Sequence, residues 1–321
     1  MLNKTDWEPF AQATGVTTDD LATFEGITRT AQKYYEWTDS QTPEPNDGKA
    51  FFGRDAMANY MLIGCRQLGI ELLEVKDGQV TFNTDEEVLR RLWDNYYIPY
   101  INGYFTAAGK FRSDDARTGT IIALIGSTSG MTYFPTKVNV SDTESYPIES
   151  LSLPTPVFEG GEAFAVQQGA GMVVAKSNEA TEYAATLFLK WFTDSQRNAA
   201  FSASSGYLPV KKAANDVDLI EAAIEADGDS ASPAMRQAMP VALKIVQQNA
   251  LYTSKAFEGG NAARAVLENS MQQQAAADAA AVQQALAAGQ TRQEATAPYT
   301  TDEHFNQWLE SFRAALQDSI A

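Results

Sequence analysis

The spacing of apolar residues over the first hundred positions predicts helices joined by short turns and one hairpin. Apolar positions recur at helical spacing in "TTDDLATFEGITRTAQKYYEWTD", where Thr23 is placed to cap the first turn. A second apolar helix is expected from about Asp55, after a turn rich in Pro, Asn and Gly. Two alternating runs flank Asp77-Gly78 in "LLEVKDGQVTF", which predicts a tight β-hairpin.

A buried strand is predicted where the chain reads "TIIALIG", because this run is apolar on both faces and ends at Gly126. We expect it to belong to a sheet of about five strands flanked by helices. The strand delivers Ser127, Thr128 and Ser129 to the loop that follows it. Ligands of open α/β sheets collect at the carboxyl ends of strands. From this motif alone, the loop is either part of a ligand site or a solvated turn.

Two later segments are expected on the surface. Arg112, Asp114, Asp115 and Arg117 alternate in sign at helical spacing, which favours an exposed ion-pair cluster over a ligand contact. The Ala/Gln-rich segment "LENSMQQQAAADAAAVQQALAAGQTRQEA" has high helix propensity and few bulky apolar side chains. It is therefore expected to form an exposed helical extension.

A glycine-rich strand, "GAGMVV", is predicted before a helix that is capped at Ser177-Asn178. The glycines do not continue into a dinucleotide-binding fingerprint, and the chain has no P-loop lysine, so a nucleotide site has little support. One face of the helix is apolar, and core packing is the expected role of its residues rather than cofactor contact. They are Ala184, Leu187, Phe188 and Trp191.

Composition removes several classes of function. The 321 residues carry a formal net charge of -17, which disfavours the basic face that nucleic-acid binding requires. Cys65 lies in an apolar helical pattern and is expected to be a buried small hydrophobe rather than a nucleophile. His304 follows two acids at a helix start and is expected on the surface, with a catalytic role as the alternative. The chain shows neither an export signal nor an apolar run of membrane-spanning length.

Five segments resemble consecutive landmarks of the family-1 extracellular solute-binding proteins, the ligand receptors of bacterial ABC importers. They read "LNKTDWEPFAQATGV", "LATFEGI", "GAGMVVAKS", "AATLFLKWFT" and "SGYLPVKKAAND". Their order and spacing carry the resemblance, which runs through nearly the whole chain. It implies an α/β fold of the type II periplasmic-binding-protein kind, with two lobes that close on a ligand.

The resemblance also implies how the chain is divided. Residues 1–155 and 210–321 would form most of the second lobe, and residues 156–209 would be the returning part of the first. Family members carry roughly a hundred residues, a plausible domain length, before the position that matches Asn3, and this chain shows no counterpart. We therefore expect an apolar patch on residues 156–209, covered by rearrangement or by a second copy in a homo-oligomer, and weak ligand affinity.

Ligand contacts are implied in the loops that match the family's binding loops. In sugar-binding members a tryptophan often stacks on the ligand after the "TIIALIG" strand; here Ser127-Thr128 replaces it, and Tyr133 or Trp37 would substitute. A helix cap at Asp55 and a solvated Arg54 form the competing interpretation of that pair. The candidates are Trp37, Phe52, Arg54, Asp55, Ser127, Thr128, Ser129, Tyr133, Phe257 and Glu258.

Three classes of function follow from the sequence. A receptor needs a cleft with polar groups and aromatic faces, whereas a glycoside hydrolase needs two carboxylates that face each other across a cleft. A protein-interaction module would use the Ala/Gln segment or an uncovered apolar surface. The resemblance favours the receptor, with no catalytic residue, cofactor or metal. Its expected partners are a small polar solute, with a carbohydrate first, and a membrane-embedded ABC permease; its full-length form would be an extracellular lipoprotein.

Overall fold

Thirteen α-helices and ten short strands make up residues 1–228 and 232–321, the part of the chain described by this computed structural model. The strands are β1 (Leu2–Asn3), β2 (Phe52–Arg54), β3 (Leu73–Lys76), β4 (Gln79–Phe82), β5 (Ala123–Ile125), β6 (Lys137–Asn139), β7 (Ser145–Pro147), β8 (Ser150–Leu151), β9 (Phe164–Val166) and β10 (Ala250–Tyr252). The helices are α1 (Lys4–Thr14), α2 (Phe24–Asp39), α3 (Met57–Gln67), α4 (Glu86–Asp94), α5 (Tyr97–Ile101), α6 (Arg112–Arg117), α7 (Glu179–Phe192), α8 (Ser195–Ser205), α9 (Val217–Ala226), α10 (Pro233–Gln248), α11 (Gly260–Ala287), α12 (Arg292–Thr296) and α13 (Asp302–Asp318).

The main sheet has four strands in the order β2-β5-β1-β8. Strands β2 and β5 run parallel, and β1 is antiparallel to both β5 and β8. The predicted strand "TIIALIG" is confirmed for its last part, and the sheet has four strands where about five were expected. Its first residues leave the ladder because the amides of Ile122 and Ala123 both donate to the carbonyl of Phe51, which marks a local bulge.

Local turn and cap signals are confirmed in the first hundred residues. The side chain of Thr23 accepts a hydrogen bond from the Gly26 amide at the start of α2. Strands β3 and β4 form the predicted hairpin, and its turn residues Asp77 and Gly78 have φ angles of 52° and 79°. Two positive φ angles in succession are the geometry of a type I′ turn, which suits the twist of paired strands.

Helix α11 corrects the prediction of an exposed Ala/Gln extension. It packs against α3, α5 and α13, and one of its faces is buried in the largest hydrophobic cluster of the described residues. The apolar residues of that face recur at intervals of one or two helical turns: Ala263, Leu267, Met271, Ala275 and Val282. Alanine is short, so neighbouring helices approach closely there. The bulk of the cluster comes from aromatic side chains on the other elements.

His304 is also not the surface residue that the sequence predicts. Its Nε2 lies 2.8 Å from Oδ2 of Asp278 and 2.9 Å from the hydroxyl of Tyr97. The Tyr97 hydroxyl donates to the same Asp278 oxygen at 2.5 Å, and burial together with this carboxylate raises the pKa of Tyr97. The three side chains therefore join α5, α11 and α13 through a largely buried polar cluster.

Helix α7 begins at the predicted cap, since Asn178 accepts from the Thr181 amide. The prediction that its apolar face lies in the core is wrong, because α7 has no buried residue within the described chain. The segment "GAGMVV" forms no strand either, and Val173 is fully open to solvent. Exposed large apolar side chains continue from α7 to α8 and beyond, and we call them the α7–α8 apolar face: Tyr183, Leu187, Phe188, Trp191, Phe201 and Tyr207.

A small separate core lies next to this face. Helices α8, α9 and α10 bury a cluster that includes Ala199, Ile220 and Leu243. The cluster joins residues from both sides of the predicted boundary at residue 210.

Cys65 is fully buried in α3, as predicted for a small hydrophobe. Burial raises the pKa of its thiol, since the thiolate would lose hydration inside the core. At pH 8 we expect a thiol reagent to label the folded protein more slowly than the urea-unfolded protein by on the order of a hundredfold or more. Stoichiometric labelling within minutes in the absence of urea would contradict this placement.

Candidate functional site

The candidate site lies where the parallel strands β2 and β5 end side by side. Arg54 is the register partner of Ile125, and the amide of Asp55 donates to the Ile125 carbonyl at 3.0 Å. The loop after β5 therefore starts beside Asp55: a methyl group built on Gly126 would stand 3.5 Å from the Asp55 carboxylate. Polar residues from two loops thus meet at the carboxyl edge of the sheet, as the sequence predicts.

In the loop after β5, Ser127 is exposed and Ser129 is half-buried, and their hydroxyls are partly engaged with each other. Ser127 Oγ accepts from the Gly130 amide at 3.0 Å and lies 3.2 Å from Ser129 Oγ. A single turn of 3-10 helix follows over Ser129–Tyr133, and the Tyr133 ring is mostly exposed. The turn holds the loop in one shape while its hydroxyls keep spare hydrogen-bonding capacity.

Arg54 is buried rather than solvated. Its guanidinium carbon lies 4.5 Å from the centre of the Tyr60 ring and 5.8 Å from that of Phe24. Desolvation lowers the pKa of Arg54 to about 10, so it stays protonated at neutral pH. The competing interpretation of a solvated arginine is therefore wrong.

Asp55 does not cap α3, which contradicts the other half of that interpretation. Its Oδ1 accepts from the amide of Arg112 at 3.2 Å, and burial raises the pKa of its carboxyl. The first amides of α3 are taken instead by Glu268 on α11, whose two oxygens accept from Met57 at 3.1 Å and Ala58 at 2.9 Å. Sequence reasoning missed Glu268 because more than two hundred positions separate it from the helix that it caps.

Replacing Glu268 with alanine should destabilise the protein by about 1–2 kcal/mol, the usual effect of losing a helix cap. The carboxylate also lies at the positive end of the α3 dipole, which adds to its effect. Urea denaturation would measure the change. The control is Glu310→Ala at an exposed position of α13, where we expect less than about 0.5 kcal/mol. Equal effects of the two substitutions would contradict the capping role.

The predicted exposed ion-pair cluster is instead half inside the protein. Arg112 and Asp115 are 3% and 2% exposed, and Arg112 Nη1 lies 2.5 Å from Asp115 Oδ2. Asp115 Oδ1 also accepts from the Gly109 amide at 2.7 Å. Arg112 also contacts Asp55. The buried pair therefore helps to fix the loop that follows β2 at the candidate site.

The aromatic candidates take up structural positions. Trp37 packs against Phe10 and Tyr34, with ring centres 5.6 and 6.1 Å apart. Phe52 is buried on β2, and Phe257 packs against the main cluster close to Gly260. Glu258 beside it is exposed.

A cavity of about 110 Å³ opens beside the β5 loop. Phe52, Gly126 and Thr128 line it, together with the extended segment 152–156. Helix α10 supplies the opposite wall through Ala238, Val241, Ala242 and Ile245, whose i, i+3, i+4, i+7 spacing is the only sequence signal for this wall. The cavity is therefore lined mainly by apolar side chains, with Thr128, Ser152 and Thr155 among its few polar ones.

The geometry places polar loops and an apolar cavity together at a sheet edge, and comparison with known proteins gives the family. Residues 1–231 match the profile of the bacterial extracellular solute-binding proteins. The chain belongs to this family. A search of curated proteins gave no match.

Three solved structures share the fold of this solute-binding protein. One is the cyclic alpha-maltosyl-1,6-maltose binding protein of Arthrobacter globiformis, at 16% identity and a TM-score of 0.59 over 99% of this chain and 69% of that one. Another is UgpB of Mycobacterium tuberculosis in complex with glycerophosphocholine, at 17% identity and a TM-score of 0.57 over 100% and 69%. The third is maltose-bound MalE3 of T. maritima, at 12% identity and a TM-score of 0.53 over 96% and 68%. The expected periplasmic-binding-protein-like fold is confirmed.

Two further features of the described ranges, 1–228 and 232–321, bear on the site. None of their helices combines the length and hydropathy that crossing a bilayer requires. Nor do these ranges bring together three or more His, Cys, Asp or Glu side chains in a group that could hold a metal ion.

Proposed function

We propose that this protein is the solute receptor of an ABC importer and that its solute is a carbohydrate or a related polar molecule. The observation that carries the proposal is the family match over residues 1–231, which includes both loops of the candidate site. The solved relatives with this fold bind maltose, a cyclic maltosyl sugar and glycerophosphocholine. Sugars and polyol derivatives are therefore the first solutes to test.

The site suits binding because its carboxylates are fixed by hydrogen bonds while hydroxyls of the loop after β5 can still bond to a solute. Arg112 fixes Asp55, and two backbone amides fix Glu268, so both carboxylates have settled partners. The hydroxyls of exposed Ser127 and half-buried Ser129 keep capacity to exchange water for a solute's hydroxyls. Such an exchange needs no proton transfer.

We propose that residues 1–155 and 210–321 form most of one lobe and that residues 156–209 belong to the other, with α8 at the junction, where it shares a small core with α9 and α10. Closure of the lobes around the solute would shift the receptor toward the form that its permease recognises. The receptor would work outside the cytoplasm, anchored as a lipoprotein in its full-length form. The candidate ligand contacts all lie in residues 1–155 and 210–321. In this proposal they line the surface of that lobe that faces the solute.

The test is a solute titration of the full chain followed by NMR, which reports binding even at millimolar affinity. We expect maltose, glucose 6-phosphate or glycerophosphocholine to shift backbone signals of residues 126–129 in a saturable way. A Ser127→Ala, Thr128→Val, Ser129→Ala variant should bind at least about tenfold more weakly, since each lost hydrogen bond contributes about 1 kcal/mol.

The matched control is Ser141→Ala with Thr143→Val, which removes exposed hydroxyls from the turn between β6 and β7. It should bind like the parent protein. Absence of binding by every solute would overturn the receptor proposal. Release of glucose from maltose during the titration would point to a hydrolase instead.

A further inference from the structure

The cavity beside the β5 loop has an apolar lining and is open to solvent on one side. The residues that line it, all within the described part of the chain, include no charged side chain. Pro154 and Thr155 belong to this lining and are exposed, so a small group can enter past them. Apolar residues of the lining that are half-buried include Ile125, Leu153, Val241 and Ile245.

Water and sugar hydroxyls are poor occupants of this cavity. A bound water needs two to four polar partners, and the lining offers few. The amide of Ser152, one of the polar lining residues, already donates to Gln237 Oε1 at 3.2 Å. A hydroxyl that leaves water without gaining a hydrogen bond loses free energy, whereas an apolar group that displaces poorly held water gains affinity. The lining therefore favours an apolar guest.

The volume of the cavity sets the size of that guest. The cavity measures about 110 Å³, and each water-sized group takes up about 30 Å³, so about three or four such groups fit. An apolar cavity of about 150 Å³ is large enough for benzene. A branched alkyl group smaller than a benzene ring, such as isopropyl or isobutyl, therefore matches this cavity.

The cavity is continuous with the polar loop of the candidate site. Gly126 and Thr128 line the cavity and belong to the loop after β5. The hydroxyls of Ser127 and Ser129 in the same loop are the groups proposed above to bind the solute. One solute can therefore place its polar part on the loop and an apolar part in the cavity.

We infer that this cavity is an apolar subsite and that the solute is a sugar or polyol carrying a branched alkyl group of about three or four carbons. This inference rests on the proposed receptor function and narrows its solute class. The loop hydroxyls bind the polar part through hydrogen bonds, and the cavity removes the alkyl group from water. Each methylene buried in this way strengthens binding about fourfold.

The test compares methyl with isopropyl β-D-glucopyranoside, and methyl with isopropyl β-D-thiogalactopyranoside, on the full chain by NMR titration. The two sugars differ in the orientation of one ring hydroxyl, so the comparison does not depend on a single sugar. In at least one pair we expect the isopropyl compound to bind about tenfold more tightly, because it buries two more carbons than the methyl compound. It should also shift the methyl signals of Val241 and Ile245 in a saturable way.

Two variants of α10 and one control complete the test. Ala242→Leu fills the cavity and should remove the preference for the isopropyl compound while the methyl compound still binds. Val241→Thr puts a hydroxyl into the cavity at nearly the same volume, should reduce the preference severalfold, and carries the test if the leucine variant does not fold. The control is Val246→Thr on the same helix, where the valine is also half-buried but lies outside the cavity lining. It should leave the preference unchanged.

The outcomes separate this inference from the receptor proposal. Equal affinities within both pairs would overturn the apolar subsite, and the receptor proposal would stand if maltose, glucose 6-phosphate or glycerophosphocholine binds. A preference for the isopropyl compound that the folded cavity variants leave intact would place the alkyl group elsewhere and equally overturn it. If neither the glycosides nor those three solutes bind, the receptor proposal fails and the inference fails with it.

Discussion

Replacing Arg112 with methionine should destabilise the folded protein by about 3–5 kcal/mol, one of the two largest effects we expect in this chain. The substitution leaves the carboxylate of Asp115 buried without its cation, while methionine keeps most of the side-chain volume. It also removes hydrogen bonds to the carbonyls of Thr106 and Gly109. Urea denaturation followed by circular dichroism would give the free energy of unfolding.

The control for Arg112 is Arg117→Met on the same helix, where the arginine is exposed. It should change the free energy of unfolding by less than about 0.5 kcal/mol. A double variant, Arg112→Met with Asp115→Asn, should lose less than the sum of the two single changes, because no uncompensated charge then remains. If Arg112→Met unfolds like Arg117→Met, the pair is not buried as the structure shows.

Signals that act within a few residues could be predicted from the sequence. The cap at Thr23, the turn at Asp77-Gly78 and the cap at Asn178 each depend on a side chain or a φ angle next to the element it ends. The strand that leads to Ser127 was predictable in the same way, because an unbroken apolar run between glycines is characteristic of a buried strand.

Burial could not be predicted where it depends on a distant partner. The charges of Arg112 and Asp115 have the spacing of an exposed ion pair in the sequence. Only the fold shows that Arg112 also contacts Asp55, 57 positions away, and that the pair is buried. The Ala/Gln segment carries few bulky side chains, yet α11 is central because its neighbours provide the aromatic surface that its alanines accommodate. A pattern along one element does not report what packs against it.

The candidate site was predicted in part for the same reason. The resemblance brought Arg54, Asp55 and the Ser127 loop to one edge, and parallel pairing of β2 with β5 places them there. Glu268 and the α10 wall were missed, because only long-range contacts show that Glu268 caps α3 and that the apolar stripe of α10 faces the β5 loop. Contact of any of these residues with a solute stays a prediction.

Replacing two tryptophans with alanine should destabilise the protein to very different extents, although each is the penultimate residue of its helix. Trp93 on α4 is 1% exposed, stacks on Tyr97 at 3.6 Å between ring centres and lies 4.8 Å from the ring of Trp308. Its replacement should lower the free energy of unfolding by about 3–5 kcal/mol, through lost burial and the cavity left behind.

Trp191 on α7 is 52% exposed and touches Phe188 and Arg197 within the described chain. Its replacement should change the free energy of unfolding by less than about 1 kcal/mol, since an exposed ring has little transfer free energy to lose. Urea denaturation of both variants, with light scattering of the parent protein, would measure the contrast. If Trp191→Ala destabilises the protein as much as Trp93→Ala, or makes unfolding depend on protein concentration, the α7–α8 apolar face is covered in solution. The contrast is informative because each helix has tryptophan at its penultimate position, and burial is what separates the two rings.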